Sequence, residues 1–401
     1  MYRIAQTTFE PESDAGQALL GDAWKSKARP ECLCKSPAPQ MYVAYVGAGY
    51  ILKRMPETGP SHAMTCESYT PPAFLSGMGQ LERAVRMGKD KTSRKLAVNF
   101  SLAVTGPRAA PTPGDGAEAR DIISKPTKMS LTALLEYLWQ EAGLVQWHTG
   151  FHNKRWWGLV RQRLLEASEG AQVKGADLAD RLFIPQAWSA EQKDALFAQN
   201  RKRLLDIAVP STGPQKLGLL VAEYKSHEET PRGAKFTFKH APGLAFFANN
   251  DFLKRFDKRA TRYLDLAAMI KGTKLLAIAT FGMRKAGYPE LKDMGLMLVS
   301  ANWIPFETAD EAELLDLLTA NRRSFVKSLR FDLPKETVTP HSVLTDVHQD
   351  EPFALYMQRQ GKEEAIAAAA TTSGYPYSIF DPLDPQASQL PRRLAQQGGL
   401  A

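Results

Sequence analysis

All three cysteines of the chain lie near its N-terminus, in two short motifs that also contain a histidine. Cys32 and Cys34 form a Cys-x-Cys pair, and His62 precedes Cys66 by four residues. Thiolate and imidazole groups are the ligands that zinc prefers, and a tetrahedral site needs four of them. A site with four protein ligands is closed, and is therefore structural rather than catalytic. We predict one structural zinc site formed by Cys32, Cys34, His62 and Cys66.

The chain between the two motifs predicts how they meet. Residues 41–46 and 50–55 have the composition of two β-strands, and Gly47-Ala48-Gly49 between them is typical of a hairpin turn. A hairpin returns the chain to its starting point, so it brings His62 back beside Cys32. The glycines are therefore interpreted as a turn and not as a phosphate-binding loop.

The chain length predicts more than one domain, because 401 residues exceed what one hydrophobic core usually serves. The mixture of strand and helix patterns predicts a multidomain α+β protein with an N-terminal zinc-binding β-hairpin module, a central helical segment and a C-terminal mixed α/β domain. The expected boundaries are a zinc-binding β-rich module at 1–105, a linker at 106–128, a helical segment at 129–188, a mixed α/β domain at 189–380 and a flexible tail at 381–401.

Two helices are expected in the central segment. Ser130 can cap a helix that ends at Gly143, and a second, basic helix is predicted over residues 153–167. Such a pair is compatible with a helix-turn-helix or winged-helix unit, although the long connecting loop argues against the compact form of that motif. Ordinary core packing of the two helices is the alternative.

Strand patterns dominate the remainder. In the N-terminal module a strand is expected over 95–104. After a helix that begins with a Ser189 and Gln192 capping box, strands are expected over 217–224, 235–239, 274–281, 296–301, 343–345 and 353–356, with helices over 251–270 and 309–321, the latter capped by Thr308 with Glu311.

The charge of the chain favours a polyanionic partner. Its formal net charge is +8, and five cations recur at helical spacing on one face of the helix predicted over 251–270. These candidate nucleic-acid-binding residues are Lys254, Arg255, Lys258, Arg259 and Arg262. A second basic run contains Arg322, Arg323, Lys327 and Arg330. The two runs predict a nucleic-acid partner, with DNA favoured, and a solvated basic surface is the alternative.

A metal-dependent nuclease is a second functional hypothesis. Glu223 and Lys225 are two apart on a predicted strand and would face the same side, and Asp206 could supply another carboxylate. The chain contains no phosphate-binding loop of the Walker type, no nucleophile elbow and no zinc-protease motif. No complete catalytic constellation is found, so the sequence does not decide whether the protein is an enzyme.

A protein-interaction scaffold is the third hypothesis, with the zinc hairpin docking a protein partner and the basic faces serving only solubility. The first residues contain no apolar signal region, and no stretch approaches the roughly 20 apolar residues that a membrane helix needs. A cytoplasmic protein without a membrane partner is therefore expected.

Several segments resemble a known bacterial family. They are Cys32-Leu33-Cys34, the stretch from Met41 to Pro56, Gly59 with His62 and Cys66, the tryptophan-bearing residues 134–144, and Trp303-Ile304-Pro305-Phe306-Glu307. These features resemble the domain-of-unknown-function family DUF1173, carried largely on plasmids and integrative elements, and the resemblance covers most of the chain. It implies a mobile-DNA setting and supplies no catalytic residues. The combined expectation is a zinc-containing nucleic-acid-binding accessory protein of mobile genetic elements, acting in their maintenance, transfer or regulation.

Overall fold

A computed structural model of the chain describes residues 1–47, 49–81, 83–104, 128–208, 215–334, 336–385 and 390–394. These residues form a mixed α+β fold, which confirms the predicted class. Most of the predicted linker and much of the predicted tail lie outside the described residues.

The helices of the described residues are α1 Asp14–Ser26, α2 Ala73–Ser76, α3 Leu131–Glu141, α4 Trp157–Ser168, α5 Leu178–Arg181, α6 Lys193–Ile207, α7 Asn250–Met269, α8 Ala309–Ala320 and α9 Glu363–Thr372. Single 3-10 turns occur at Gly59–Ser61, Met78–Gln80 and Thr149–Phe151. The strands are β1 Tyr2–Ile4, β2 Thr7–Phe9, β3 Glu31–Cys32, β4 Met41–Val46, β5 Gly49–Arg54, β6 Val85–Met87, β7 Arg94–Leu96, β8 Ala103–Val104, β9 Gln146–Trp147, β10 Ala171–Val173, β11 Ala176–Asp177, β12 Leu182–Phe183, β13 Gln215–Lys216, β14 Gly218–Thr230, β15 Gly233–Phe238, β16 Phe246–Ala248, β17 Lys274–Met283, β18 Pro289–Val299, β19 Pro305–Phe306, β20 Phe325–Lys327, β21 Ser342–Leu344, β22 Phe353–Met357 and β23 Tyr377–Phe380.

The largest sheet lies at the centre of the fold. Its strand order is β12-β14-β15-β16-β18-β17, β19 pairs with β18, and β17 also pairs with β14. The strands β14, β15, β16, β18 and β17 therefore form a closed ring of pairings.

Strand β14 separates two hydrophobic cores, because successive side chains of a strand point to opposite faces. Leu220 and Ala222 pack in one core with the aromatic residues of α7. Leu219 and Val221 pack in the other core with α3 and α4. Burial on both faces explains why this part of the sequence is a continuous apolar run rather than an alternating one.

The N-terminal hairpin is formed as predicted. Strands β4 and β5 are antiparallel, and Val46 pairs with Gly49 at their tip. Gly47 has a φ of +65°, a left-handed conformation that glycine adopts at little cost. Helix α1 lies against both strands, while β1, β2 and β3 form a separate three-stranded sheet.

Backbone pairing joins parts of the chain that are far apart in sequence. Strand β7 pairs with β10, β8 with β13, β9 with β20, and β12 with β14. The central segment thus contains strands β9 to β12 as well as its helices. The domain boundaries stay predictions. Each of these four pairings joins strands that belong to two different predicted domains.

Three local predictions are wrong. The strand expected over 95–104 is split into β7 and β8, because the chain leaves one sheet after Leu96 and joins β13 at Ala103. Helix α4 begins at Trp157 because a 3-10 turn and left-handed Asn153, with φ of +56°, precede it. Ser189 does not cap α6: its Oγ hydrogen-bonds with the carboxylate of Glu191, and the helix begins at Lys193.

The capping predictions for α3 and α8 are confirmed. Ser130 Oγ accepts from the Ala133 backbone N–H, and Thr308 Oγ1 accepts from that of Glu311. Nine residues of α3 are buried, and α3 packs on α4, β17 and β18. The helical pair thus contributes to the core, and the winged-helix interpretation is not confirmed.

Candidate metal centre

Short structural elements bring the four predicted ligands together. Cys32 ends β3, where it pairs with Tyr2 of β1, and Cys34 follows in a turn. His62 closes the 3-10 turn Gly59–Ser61 with its backbone N–H bonded to Gly59 O at 3.2 Å. The Cys66 backbone N–H donates to Ala63 O at 2.8 Å. The intervening hairpin therefore places the second motif beside the first, as expected.

The ligand atoms are spaced like the corners of a tetrahedron. Cys32 Sγ lies 3.8 Å from Cys66 Sγ, and His62 Nδ1 lies 3.4 Å from Cys34 Sγ and 3.7 Å from Cys66 Sγ. All four atoms lie within 4.8 Å of one another. Zinc bonds of about 2.3 Å to sulfur and 2.1 Å to nitrogen give edges of roughly 3.8 Å and 3.6 Å in a regular tetrahedron. The group could therefore hold one metal ion at its centre.

Two of the sulfurs accept hydrogen bonds from the backbone. The backbone N–H groups of Ala63 and Ser68 donate to Cys34 Sγ at 3.5 Å and to Cys66 Sγ at 3.4 Å. Such bonds stabilise negative charge on sulfur. The three cysteines are free thiols, and the 3.8 Å between Cys32 and Cys66 is far longer than a disulfide bond.

Cys32 and Cys66 shift each other's pKa. Hydrogen bonding with the Cys32 sulfur, together with burial, raises the pKa of Cys66 to about 12. The same hydrogen bond lowers the pKa of Cys32. A divalent cation bound by both sulfurs would favour the thiolate form of each, so that metal binding would release protons.

The side chain of His62 is 1% exposed. Its Nδ1 faces the sulfurs, and its Nε2 is buried without a hydrogen-bond partner among the described residues. No other group of three or more His, Cys, Asp or Glu side chains in the described part of the chain is close enough to share an ion. With four protein ligands the candidate centre is closed, which suits a structural role.

The predicted basic face of α7 is exposed. Lys254, Arg255, Lys258, Arg259 and Arg262 all lie on the surface, while Phe252 and Phe256 of the same helix are buried. Arg259 Nη2 lies 3.2 Å from Asp293 Oδ1, and Arg262 Nη2 donates to Glu307 O at 2.6 Å. The other three cations have no hydrogen-bond or ion-pair partner within the described ranges.

Three members of the second basic run have internal partners, whereas Arg322 is exposed. Arg323 and Lys327 are buried: Arg323 pairs with Asp346 at 2.7 Å, and Lys327 lies 3.4 Å from Glu311. Arg330 donates to the backbone carbonyls of Pro334 and Thr337. Arg323, Lys327 and Arg330 therefore bind internal partners, which cannot be identified from the sequence alone.

The residues of the nuclease hypothesis do not form a carboxylate cluster. Glu223 is buried in β14 and forms an ion pair with Lys239 at 2.5 Å. Lys225 is exposed at a bulge of the same strand, between Tyr224 and Ser226. Asp206 is an exposed residue of α6 whose carboxylate lies 3.1 Å from Lys202 Nζ. None of them belongs to a possible metal group among the described residues.

A large cavity that no sequence pattern predicts lies beside the metal centre. It measures about 850 Å³ and lies between strand β5 and residues 56–87 on one side and α3 and α4 on the other. Its wall contains Lys53, Arg54, Arg94, Gln140 and Glu141. These residues come from three separate segments, β5, β7 and α3, without a shared motif, so only the tertiary packing of these elements identifies them.

No helix of the described residues is long and apolar enough to cross a membrane. No curated protein and no solved structure matches the chain. A family model described as "Protein of unknown function (DUF1173)" matches residues 2–375. That match covers the metal centre, the cavity and helix α7, and it confirms the resemblance of the sequence motifs. The chain belongs to the DUF1173 family.

Proposed function

We propose that the protein is a nucleic-acid-binding protein whose N-terminal module is held together by zinc. The observation that carries this proposal is the exposed basic face of α7, defined as Lys254, Arg255, Lys258, Arg259 and Arg262. Phosphate groups bind to such a face by displacing counterions, without any requirement for sequence.

The partners of the five cations support this proposal. Within the described part of the chain, Arg259 is the only one of the five cations that forms an ion pair with a carboxylate. Lys258 follows Lys254 by four residues and Arg255 by three, and like charges at those spacings on a helix repel one another. An anion bound across them would relieve the repulsion. Duplex DNA presents phosphates at regular intervals and suits a cationic row of this length.

Zinc is the proposed metal because three thiolates and one imidazole are a donor set typical of structural zinc sites. A structural zinc site of this type contributes folding free energy, so the ion would order the segment between β3 and α2. The setting we propose is the maintenance, transfer or regulation of mobile DNA, which rests on the family resemblance alone.

The test is a titration of labelled duplex and single-stranded DNA at several salt concentrations. The parent should bind with an affinity that falls steeply with salt. The double variant Arg255→Ala, Lys258→Ala should bind more weakly, with a slope of log affinity against log salt that is smaller by roughly two, because each lost phosphate contact accounts for about 0.9.

A matched control removes the same charge elsewhere. Lys193 and Arg201 are exposed on α6 without an ion-pair partner in the described ranges, so Lys193→Ala, Arg201→Ala should leave the slope unchanged. Loss of affinity in both double variants alike would show a net-charge effect. Absence of binding by the parent at low salt would reject the proposal.

A second candidate function is docking of a protein partner through the N-terminal module. Trp24 of α1 is 49% exposed and Tyr45 of the hairpin is 48% exposed. Their ring centroids are 6.3 Å apart, and Tyr50 joins them at 6.0 Å from Trp24. Exposed aromatic clusters are typical of binding hot spots. Trp24→Ala should then abolish retention of a protein partner while leaving DNA affinity unchanged, as measured by crosslinking and by the same titration.

A further inference from the structure

The cavity beside the metal centre has the size of a small-molecule site. At about 850 Å³ it lies within the usual range of roughly 300–1,000 Å³ for ligand pockets. Pro60, Glu67 and Ser68, which flank the ligands His62 and Cys66, form part of its wall. The basic face of α7 does not contribute to it.

One wall of the cavity is cationic. Glu141 is the carboxylate that pairs with Arg54, at 2.8 Å, and with Arg94. Lys53 has no ion pair in the described part of the chain, and its Nζ donates to the carbonyl oxygens of Glu166 and Glu169 at 2.8 and 3.2 Å. Three cations thus share one carboxylate at this wall. The other carboxylates of the lining are Glu12, Glu57, Glu67 and Glu166, and the last two each lie 3.8 Å from Arg163.

The charge balance is reflected in the pKa of Lys53. Burial, and then the nearby charge of Arg94, lower that pKa to about 7. An anion bound beside the amine would oppose both effects and favour the ammonium form. Positive charge held together in this way costs free energy unless an anion offsets it.

Two polar groups of the wall lack partners. Gln140 is 1% exposed, and both its Oε1 and its Nε2 are without a hydrogen bond. Arg94 is 3% exposed, and its Nε is likewise unpaired. Buried polar groups are nearly always hydrogen-bonded, because an unmade bond costs about 1–3 kcal/mol. The unpaired donors and acceptor therefore point to a ligand that completes them.

We propose that this cavity binds a nucleotide. Its phosphate oxygens would contact Lys53, Arg54 and Arg94, since guanidinium and ammonium groups are the usual partners of phosphate. The carboxamide of Gln140 offers a donor and an acceptor side by side, which matches the hydrogen-bonding edge of a nucleobase. Tyr42 and Tyr50 also line the cavity and supply aromatic surface for the base. This inference is independent of nucleic-acid binding by α7.

The test is isothermal titration calorimetry of the parent protein with AMP, ADP, GDP and CMP, and with adenosine, guanosine, cytidine and pyrophosphate as partial ligands. At least one nucleotide should bind with a stoichiometry near one per chain. The corresponding nucleoside and pyrophosphate should each bind about tenfold or more weakly, because each retains only one half of the contacts.

Two substitutions test separately the proposed contacts to the nucleobase and the proposed contacts to the phosphates. Gln140→Leu has similar volume and removes only unpaired groups, so the protein should keep or gain stability. It should weaken nucleotide binding about tenfold and leave pyrophosphate binding unchanged. Arg54→Gln leaves Glu141 paired with Arg94 and should weaken both ligands. Gln199→Leu and Arg201→Gln, exposed on α6, are the matched controls.

A steric variant keeps the proposal testable if either polar variant unfolds. Leu159 of α4 lines the cavity and is partly exposed, so Leu159→Trp should fill the space and abolish nucleotide binding. The proposal is overturned if the parent shows no saturable binding of any nucleotide at millimolar concentration. It is equally overturned if the parent binds and the folded cavity variants bind as well as the controls do.

Discussion

At the scale of single residues, the four candidate ligands give the most direct prediction. Purified protein should contain about one zinc per chain by elemental analysis. Cys34→Ser and His62→Ala should each lose the metal and lower the melting temperature, because the binding free energy of such a site is also folding free energy. His152 is exposed and distant in sequence from the ligands, so His152→Ala serves as the control. Substoichiometric zinc in the parent, with both ligand variants unchanged in stability, would contradict the prediction.

A second residue-scale prediction concerns the buried histidine that immediately precedes β21. His341 is 5% exposed and lies among Lys327, Glu311 and Arg359, with its Nδ1 3.3 Å from Ser342 Oγ. Burial, and then Lys327, lower its pKa to about 3, although Glu311 opposes them. The unfolded imidazole takes up a proton below about pH 6.5. Between pH 3 and 6.5 the unfolded state therefore binds more protons, so stability falls as the pH falls.

The measurement is the free energy of unfolding in urea between pH 4 and 8, for the parent and for His341→Leu. The difference between the two proteins should change by at most about 1.4 kcal/mol per pH unit below pH 6.5, the limit for one proton. Above pH 7 the difference should be constant. Parallel curves for the parent and the variant over the whole range would show that His341 is not protonated on acid unfolding.

At the scale of secondary structure, the sequence predicts those elements whose ends are marked by a capping residue or by turn glycines. Ser130 and Thr308 cap α3 and α8 as expected, and the hairpin follows from its glycines. The start of α4 is not predicted because Arg155 and Trp156 continue the helical pattern, whereas Arg155 is bonded to distant residues: its guanidinium donates to Leu144 O at 2.9 Å, and its backbone carbonyl accepts from Trp303 Nε1 at 3.2 Å. Tertiary bonds of this kind override local propensity.

The same limit applies to the candidate sites. The metal ligands could be predicted because cysteine and histidine are specific ligands for zinc, and because a predicted hairpin brings the two short motifs together. The cavity could not, since Arg94 reaches it through the parallel pairing of β7 with β10, which no local pattern encodes. The same reason explains why the sequence includes Arg323 and Lys327 in a basic run that predicts a polyanionic partner, although both are buried: charge is visible in a sequence, but its internal partner is not.

An element-scale prediction concerns the 3-10 turn that carries His62. A Cβ at Gly59 would lie 1.7 Å from Thr70 Oγ1 and 2.8 Å from Thr70 Cβ, a separation that requires movement of the turn or of Thr70. Gly59→Ala should therefore lower the free energy of unfolding by about 1–3 kcal/mol, and it should weaken metal retention during dialysis against a chelator. At Gly79 the nearest atom is 3.5 Å away, so Gly79→Ala should change neither. Equal behaviour of the two variants would show that the turn does not position His62.

At the scale of the whole molecule, the two proposed sites lie on different sides of the central sheet. The α7 core and the α3–α4 core are separated by β14, β17 and β18. Helix α7 belongs to the first, whereas the cavity is built from α3, α4 and the segment beside the metal centre. Loss of the metal should therefore affect one site and spare the other.

This arrangement gives the last prediction, which rests on both proposals. Removal of the metal by a chelator should disorder residues that flank His62 and Cys66, among them Pro60, Glu67 and Ser68 of the cavity wall. Nucleotide affinity, measured by calorimetry, should fall at least about tenfold and return when zinc is restored. The salt slope of DNA binding should stay unchanged, because α7 packs on β15, β17 and β18 away from the metal centre. Loss of both activities together would show that the metal supports the whole fold, and loss of neither would show that the cavity does not depend on it.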